Sequence, residues 1–144
     1  MPPYLIYPVI AFALAQGMKV LLKSRNRRFR WRDIFAYSDM PSGHTATVTS
    51  LTMVVGLRDG LWSNSFAIAF VLMTIVITDA IGLRNYLGQH GKTLNILVKD
   101  LKEDDYLDNL YPKQLEHIGH TPLQVIIGAL IGMSVSLAGY MLGF

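Results

Sequence analysis

Leu61-Trp62-Ser63-Asn64-Ser65-Phe66-Ala67-Ile68-Ala69-Phe70-Val71-Leu72-Met73-Thr74-Ile75-Val76-Ile77-Thr78-Asp79-Ala80-Ile81-Gly82-Leu83 is a run of 23 residues with a single charge, Asp79, close to its end. A helix needs about 20 predominantly apolar residues to cross a bilayer, so this stretch reads as a membrane helix. Two further runs match it in length, Tyr4–Leu22 with 19 residues and Thr121–Phe144 with 24. Ala46–Leu57 is shorter and reads as a fourth, beginning within the interface at the turn that precedes it. Tyr4–Leu22 also has a signal-peptide reading, because Ala13-Leu14-Ala15 resembles a cleavage site. Met1–Pro3 carries no basic residue and the run is long for such a segment, so a membrane helix is the preferred reading.

The polar segments between these runs supply orientation. Lys19, Lys23, Arg25, Arg27, Arg28, Arg30 and Arg32 lie at the first connection, and Arg84, Lys92, Lys99, Lys102 and Lys113 at the third. Arg58 alone falls in the second. The positive-inside rule then makes the first and third connections cytoplasmic and puts both termini outside. Such a juxtamembrane cluster sets topology and touches anionic headgroups, which is a better reading than nucleic-acid binding. Phe29, Trp31 and Phe35, interleaved in the basic loop 24–37, suit headgroup level. Within Gln89–Gly119, Leu94, Leu97, Val98 and Leu101 recur at helical spacing, with Lys99, Asp100, Lys102 and Glu103 opposite them. This predicts one cytoplasmic amphipathic helix, followed by a loop over Asp104–Pro112. The expected architecture is all-α: a single membrane-embedded domain over residues 1–144, with about four membrane helices and that amphipathic helix. The location is the cell (inner) membrane.

Met40-Pro41-Ser42-Gly43-His44-Thr45-Ala46-Thr47 is built as an anion site opening a helix. Proline suits the first helical turn, and glycine lets backbone approach a ligand. The unpaired N–H groups and the helix dipole favour a phosphate-like anion. His44 can give or take a proton near neutral pH. As a capped turn alone, the same residues need no chemistry at all. Topology adds company, because Lys19, Asp79, Arg84, His90 and His120 all fall at cytoplasmic ends. Lys19 has two readings, a phosphate contact or a snorkelling end residue. Asp79, costly at a membrane edge, is a functional candidate, with an ion pair to Arg84 as the competing account. His120, Gln124, Gly128 and Gly132 are each four apart, which predicts one row on one helix face. The glycines would admit a neighbouring helix, and Gln124 would orient the imidazole. With no cysteine and no acidic cluster at ligand spacing, neither a metal site nor a cofactor is expected.

Together these residues resemble the type 2 phosphatidic acid phosphatase and vanadium haloperoxidase superfamily, in its short divergent bacterial branch. Pro41-Ser42-Gly43-His44 is the family's middle motif. His120, Gln124, Val125, Gly128 and Gly132 correspond to its last motif, with Gln124 where the family has an acid. Asp79, Gly82 and Arg84 match the Asp-x-x-Gly-x-Arg segment of the divergent branch, and Gly119–Pro122 its Gly-His-Thr-Pro segment. The first motif, a lysine followed by Arg-Pro, is absent as such. Lys19 is the nearest stand-in, with Lys23 and Arg30 at family spacing but without the proline.

The resemblance implies hydrolysis of a phosphomonoester or pyrophosphate on a membrane lipid through a phosphohistidine. His120 would be the nucleophile, His44 the acid, and Asp79 part of the catalytic set. Lys19, Ser42, Gly43 and Arg84 would hold the phosphoryl oxygens. His90, which follows Arg84 after five intervening residues in the spacing of the last motif, is a rival nucleophile and reads as part of a polar loop flanked by Gly88 and Gly91. Gln124 and Lys23 are secondary candidates. Two alternatives come from other classes. One is an idle membrane protein that binds or moves anionic lipids. The other is a small homo-oligomeric subunit whose glycine row is its interface.

Overall fold

The computed structural model describes residues 3–24, 40–100, 111 and 113–143. They form α1 (Pro3–Ser24), α2 (Gly43–Asp59), α3 (Asn64–Ile81), α4 (Leu83–Asp100) and α5 (Pro122–Met141), with no strand among the described residues. Among the described residues, three stretches are long and apolar enough to cross a membrane: Pro3–Leu22, Pro122–Met141 and a third, Asn64–Lys99, that takes in α3 and all but the last residue of α4. The protein is an integral membrane helical bundle. Residues 25–39, with the basic loop and its aromatics, lie outside the described residues. So do Leu101, Lys102, Glu103 and all of the expected loop 104–112 except Tyr111.

The fourth expected membrane helix differs from the other three. α2 has 17 residues and is not among the candidate spans; at 1.5 Å per residue it is about 26 Å long, short of a bilayer core. It carries Thr45, Thr47, Thr49, Ser50 and Thr52, and it is the most enclosed helix of the bundle, packed against α1, α3 and α5. A helix wrapped by three others meets little lipid, so its hydroxyls need partners in protein rather than replacement by hydrocarbon. Ser136 donates to the Ser50 carbonyl at 2.8 Å and its oxygen lies 2.8 Å from Ser50 Oγ. Thr52 Oγ1 lies 2.9 Å from its own helix at Val48 O and 3.1 Å from Ala69 O of α3.

The glycine row sets the closest packing. A methyl group on Gly128 would run into the Ser42 carbonyl oxygen, and one on Gly132 into that of Ala46, with Ser50 N at 2.9 Å. α5 therefore lies parallel to α2 with the backbones in near contact. α1 runs antiparallel to both; Phe12 and Gln16 meet Gly43, while Tyr4 reaches Asp59 at the other end. The row that suggested an oligomer interface is spent inside the subunit. α1 is likewise an integral part of the packing, against α2 and α5.

α4 corrects the expected connection. The helix begins at Leu83, one residue after the break at Gly82, and runs without interruption through Gln89–Gly91. Gly88 and Gly91, which suggested a loop around His90, instead give room for the backbone of Leu115 and Glu116 to pass. Asn95 clasps that same passing segment, accepting from Gln114 N and donating to Gln114 O, both at 2.9 Å.

Candidate functional site

Pro-Ser-Gly-His opens α2 as expected, although Pro41 stands one residue before the Ser42 cap and not in the first helical turn, and the structure shows how its hydrogen bonds are used. Ser42 is the N-cap: its hydroxyl oxygen accepts from Thr45 N at 3.4 Å and from Thr45 Oγ1 at 2.9 Å. Its own N–H donates to the Gln124 carbonyl at 3.1 Å, and the side chain is fully buried. Ser42 thus holds the turn to α5, instead of presenting its hydroxyl outward. Gly43 N–H and His44 N–H, in the first turn, have no acceptor within the helix. Those two are the donors the turn has left for an anion.

Lys19 does not snorkel. It is 4% exposed, whereas a snorkelling lysine keeps its ammonium in water. Its charge bears on His44, together with the charges of Arg84 and Asp79. The His44 side chain itself is exposed at this end of the bundle. Arg84 Nε donates to Asp79 Oδ2 at 2.7 Å, each side chain 30% exposed. The ion-pair account of Asp79 therefore describes the observed contact. It spans the Gly82 break between α3 and α4 and leaves the outer guanidinium nitrogens of Arg84 with donor capacity.

His120 lies just before the helix instead of on its face: α5 starts at Pro122 with Thr121 as N-cap. The histidine is 2% exposed. Its backbone is pinned on both sides, the N–H donating to Ala80 O at 3.0 Å and the carbonyl accepting from Asn85 Nδ2 at 3.3 Å. Those partners directly follow Asp79 and Arg84 in sequence, so His120 is held at the same helix break. Gln124 is also tied into the start of α5. Its side-chain oxygen accepts from Thr121 N at 2.9 Å while Thr121 Oγ1 accepts from Gln124 N at 3.4 Å, the reciprocal pattern of a capping box. The glutamine stabilises the start of α5.

The structure thus gathers Lys19, the Ser42–His44 turn, Asp79, Arg84 and His120 at one end of the bundle. His90 is separate: it is exposed, mid-way along α4, six residues and about 9 Å of helix from Arg84. Lys23 falls in the last turn of α1, and its side chain lies outside the described residues, as does Arg30. One neighbour of the turn escaped the sequence reading. Gln16 lies one turn before Lys19, its amide nitrogen 3.4 Å from where a Cβ on Gly43 would stand. Its Oε1 is buried with no hydrogen-bond partner among the described residues. The i, i+3 spacing of Gln16 and Lys19 was the available signal.

Residues 2–135 match the Divergent PAP2 family. The chain belongs to that family. A relative, the uncharacterized membrane protein YuiD of Bacillus subtilis (strain 168), is 31% identical over 143 residues, covering 92% of this chain and 90% of its own. No solved structure matches the chain. Membership in the Divergent PAP2 family agrees with the resemblance carried by Pro41–His44, Asp79–Arg84 and Gly119–Pro122, and the match takes in every helix except the last residues of α5.

Proposed function

We propose that this protein is a membrane lipid-phosphate phosphatase that works through a phosphohistidine. The observation that carries the reading is the setting of His44: a histidine on the first turn of an anion-favouring helix, under the charges of buried Lys19 and the Arg84–Asp79 pair. Phosphoryl transfer asks mainly for positioning and for charge stabilisation of the equatorial oxygens. The Gly43 and His44 N–H groups, Lys19 and the outer nitrogens of Arg84 supply those donors. The His120 imidazole attacks phosphorus, forming the N–P bond as the bond to the leaving oxygen breaks. His44 gives that oxygen its proton. Water then attacks the phosphohistidine, His44 takes up a proton, and inorganic phosphate leaves. Burial of His120 keeps water from the nucleophile until phosphate enters. The site faces the cytoplasm, with labelling of a Ser63→Cys variant expected from outside and of Lys113→Cys from inside.

A second reading rests on Gln124. The family's acid would stabilise an imidazolium by charge, and an amide closing a capping box does not. This favours a protein that binds anionic lipid without turning it over. Phosphate release from lipid monophosphates and diphosphates by the purified protein decides between them. Turnover that persists in chelator and stops with vanadate supports the phosphatase. Binding of the same lipids without release supports the second reading, and strict dependence on an added divalent ion removes the phosphohistidine route.

A further inference from the structure

A groove of about 500 Å³ lies between α1 and α2, lined by Tyr4, Val9 and Phe12 on one side and His44 and Leu51 on the other, with Val76 of α3 at its edge. It begins at the proposed phosphate site. Phe12 touches the Gly43 position and His44 is the first residue of the opposite wall. From there the groove follows α1 back to Tyr4, eight residues or about 12 Å along the helix axis. Val9 is 64% exposed and Phe12 42%, so the concavity opens sideways toward the bilayer.

Its lining asks for nothing polar. The two hydroxyls that reach it are already used, Thr47 Oγ1 donating to Gly43 O at 2.9 Å and the Tyr4 hydroxyl donating to Asp59. Past His44 the groove offers only hydrocarbon surface, and a ligand lying in it gains from apolar burial alone. The cationic and N–H groups lie beyond its His44 end. A molecule satisfying both parts has an anionic head and an extended apolar tail.

We propose that this groove seats one hydrocarbon chain of a phosphate-headed lipid, with the head at His44 and the chain running toward Tyr4. The proposal rests on the reading of the His44 end as a phosphate site. Tyr4, tied to Asp59, closes the far end and limits the length of chain in contact with protein. A second chain, in a lipid that has one, stays in the bulk bilayer.

The test uses the full chain in phosphatidylcholine nanodiscs with hexadecyl phosphate carrying a photoreactive diazirine at mid-chain. Adducts are expected on peptides containing Tyr4–Phe12 and Thr47–Leu51, and they should fall when unlabelled hexadecyl phosphate competes. Leu51→Trp and Val9→Trp, which fill the groove from either wall, should each lower labelling there on the order of tenfold, the scale of filling an apolar pocket. Leu130→Trp, on the exposed face of α5, should leave it unchanged. In turnover, the two groove variants should lose the long-chain substrate on the same scale and keep hydrolysis of water-soluble phenyl phosphate. Equal labelling of the exposed faces of α3 and α5, or loss of both substrates together, overturns the groove assignment. Labelling confined to the groove without any phosphate release leaves the chain site standing and removes the phosphatase reading instead.

Discussion

The two ends of the bundle are made from similar parts and put to different uses. At the end opposite the Pro-Ser-Gly-His turn, Tyr4 donates to Asp59 and Arg58 donates to the Tyr7 hydroxyl at 3.3 Å. Ser63 caps α3, with its hydroxyl donating to Gly60 O at 2.8 Å. Acid and base there are each matched to a tyrosine, and the connection is a short capped turn. At the other end, the acid and base pair with each other across a helix break, a lysine is buried, and two histidines stand on backbone pinned by neighbouring helices. Charged groups fasten the first end; at the second they converge on a histidine. Local pairing describes the Tyr4 end, whereas at the other end the charges of Arg84, Lys19 and Asp79 also bear on His44.

The sharpest way to break this contrast is at His120. His120→Ala should remove phosphate release by three orders of magnitude or more, about what loss of a nucleophile costs, and should abolish trapped radiolabelled phosphate. His90→Ala, on the exposed face of α4, should keep turnover within about twofold, because nothing there meets the proposed phosphate. If the label persists without His120 and vanishes without His90, the nucleophile assignment is wrong.

Next in size is the joint that holds the histidine end together. Gly132→Val puts a branched side chain against the Ala46 carbonyl and Ser50 N. It should destabilise the bundle by about 3 kcal/mol or more, at the upper end of overpacking, read as a lowered thermal midpoint in detergent with loss of folded yield. A variant that keeps wild-type stability would mean that α2 and α5 are not in backbone contact.

Asp79→Asn should act more mildly. It removes the carboxylate that aims Arg84, and a misplaced clamp weakens phosphate positioning. KM is expected to rise about tenfold with a smaller change in kcat, as for loss of a positioning contact. A fall confined to stability would make the pair purely structural. The smallest effect is expected at the opposite end. Arg58→Ala removes one hydrogen bond to Tyr7, worth about 1 kcal/mol, and should leave turnover intact; a large loss of activity there would erase the difference between the two ends.

The sequence carried the main features of this arrangement because they are one-dimensional. Apolar length marked α1, α3 and α5, and charge asymmetry separated the connections. Pro41–Gly43 announced a helix start, which is a local property of capping. What it concealed depends on packing. α2 reads as a weak membrane helix because composition does not tell which helix others will enclose. The glycines beside His90 read as a loop, since a glycine that admits a passing backbone looks the same as one that bends a chain. The capping box of Gln124 with Thr121 went unread because that pairing shows only once the helix start is fixed at Pro122. Gln16 offered only its i, i+3 spacing to Lys19, because its relation to Gly43 exists only once α1 and α2 are side by side.

The contact between α2 and α5 also bears on the order in which the protein is made. Ser42 N–H is held by the Gln124 carbonyl, and His120 by Ala80 and Asn85. The chain must therefore emerge as far as α5 before the turn at Ser42 is braced. A ribosome-bound precursor carrying α1 to α4 has the anion-favouring helix start but neither His120 nor the helix that packs on Gly128 and Gly132. On the phosphatase reading, competence waits for α5, and a precursor that stops at α4 is expected to release no phosphate from the lipids around it.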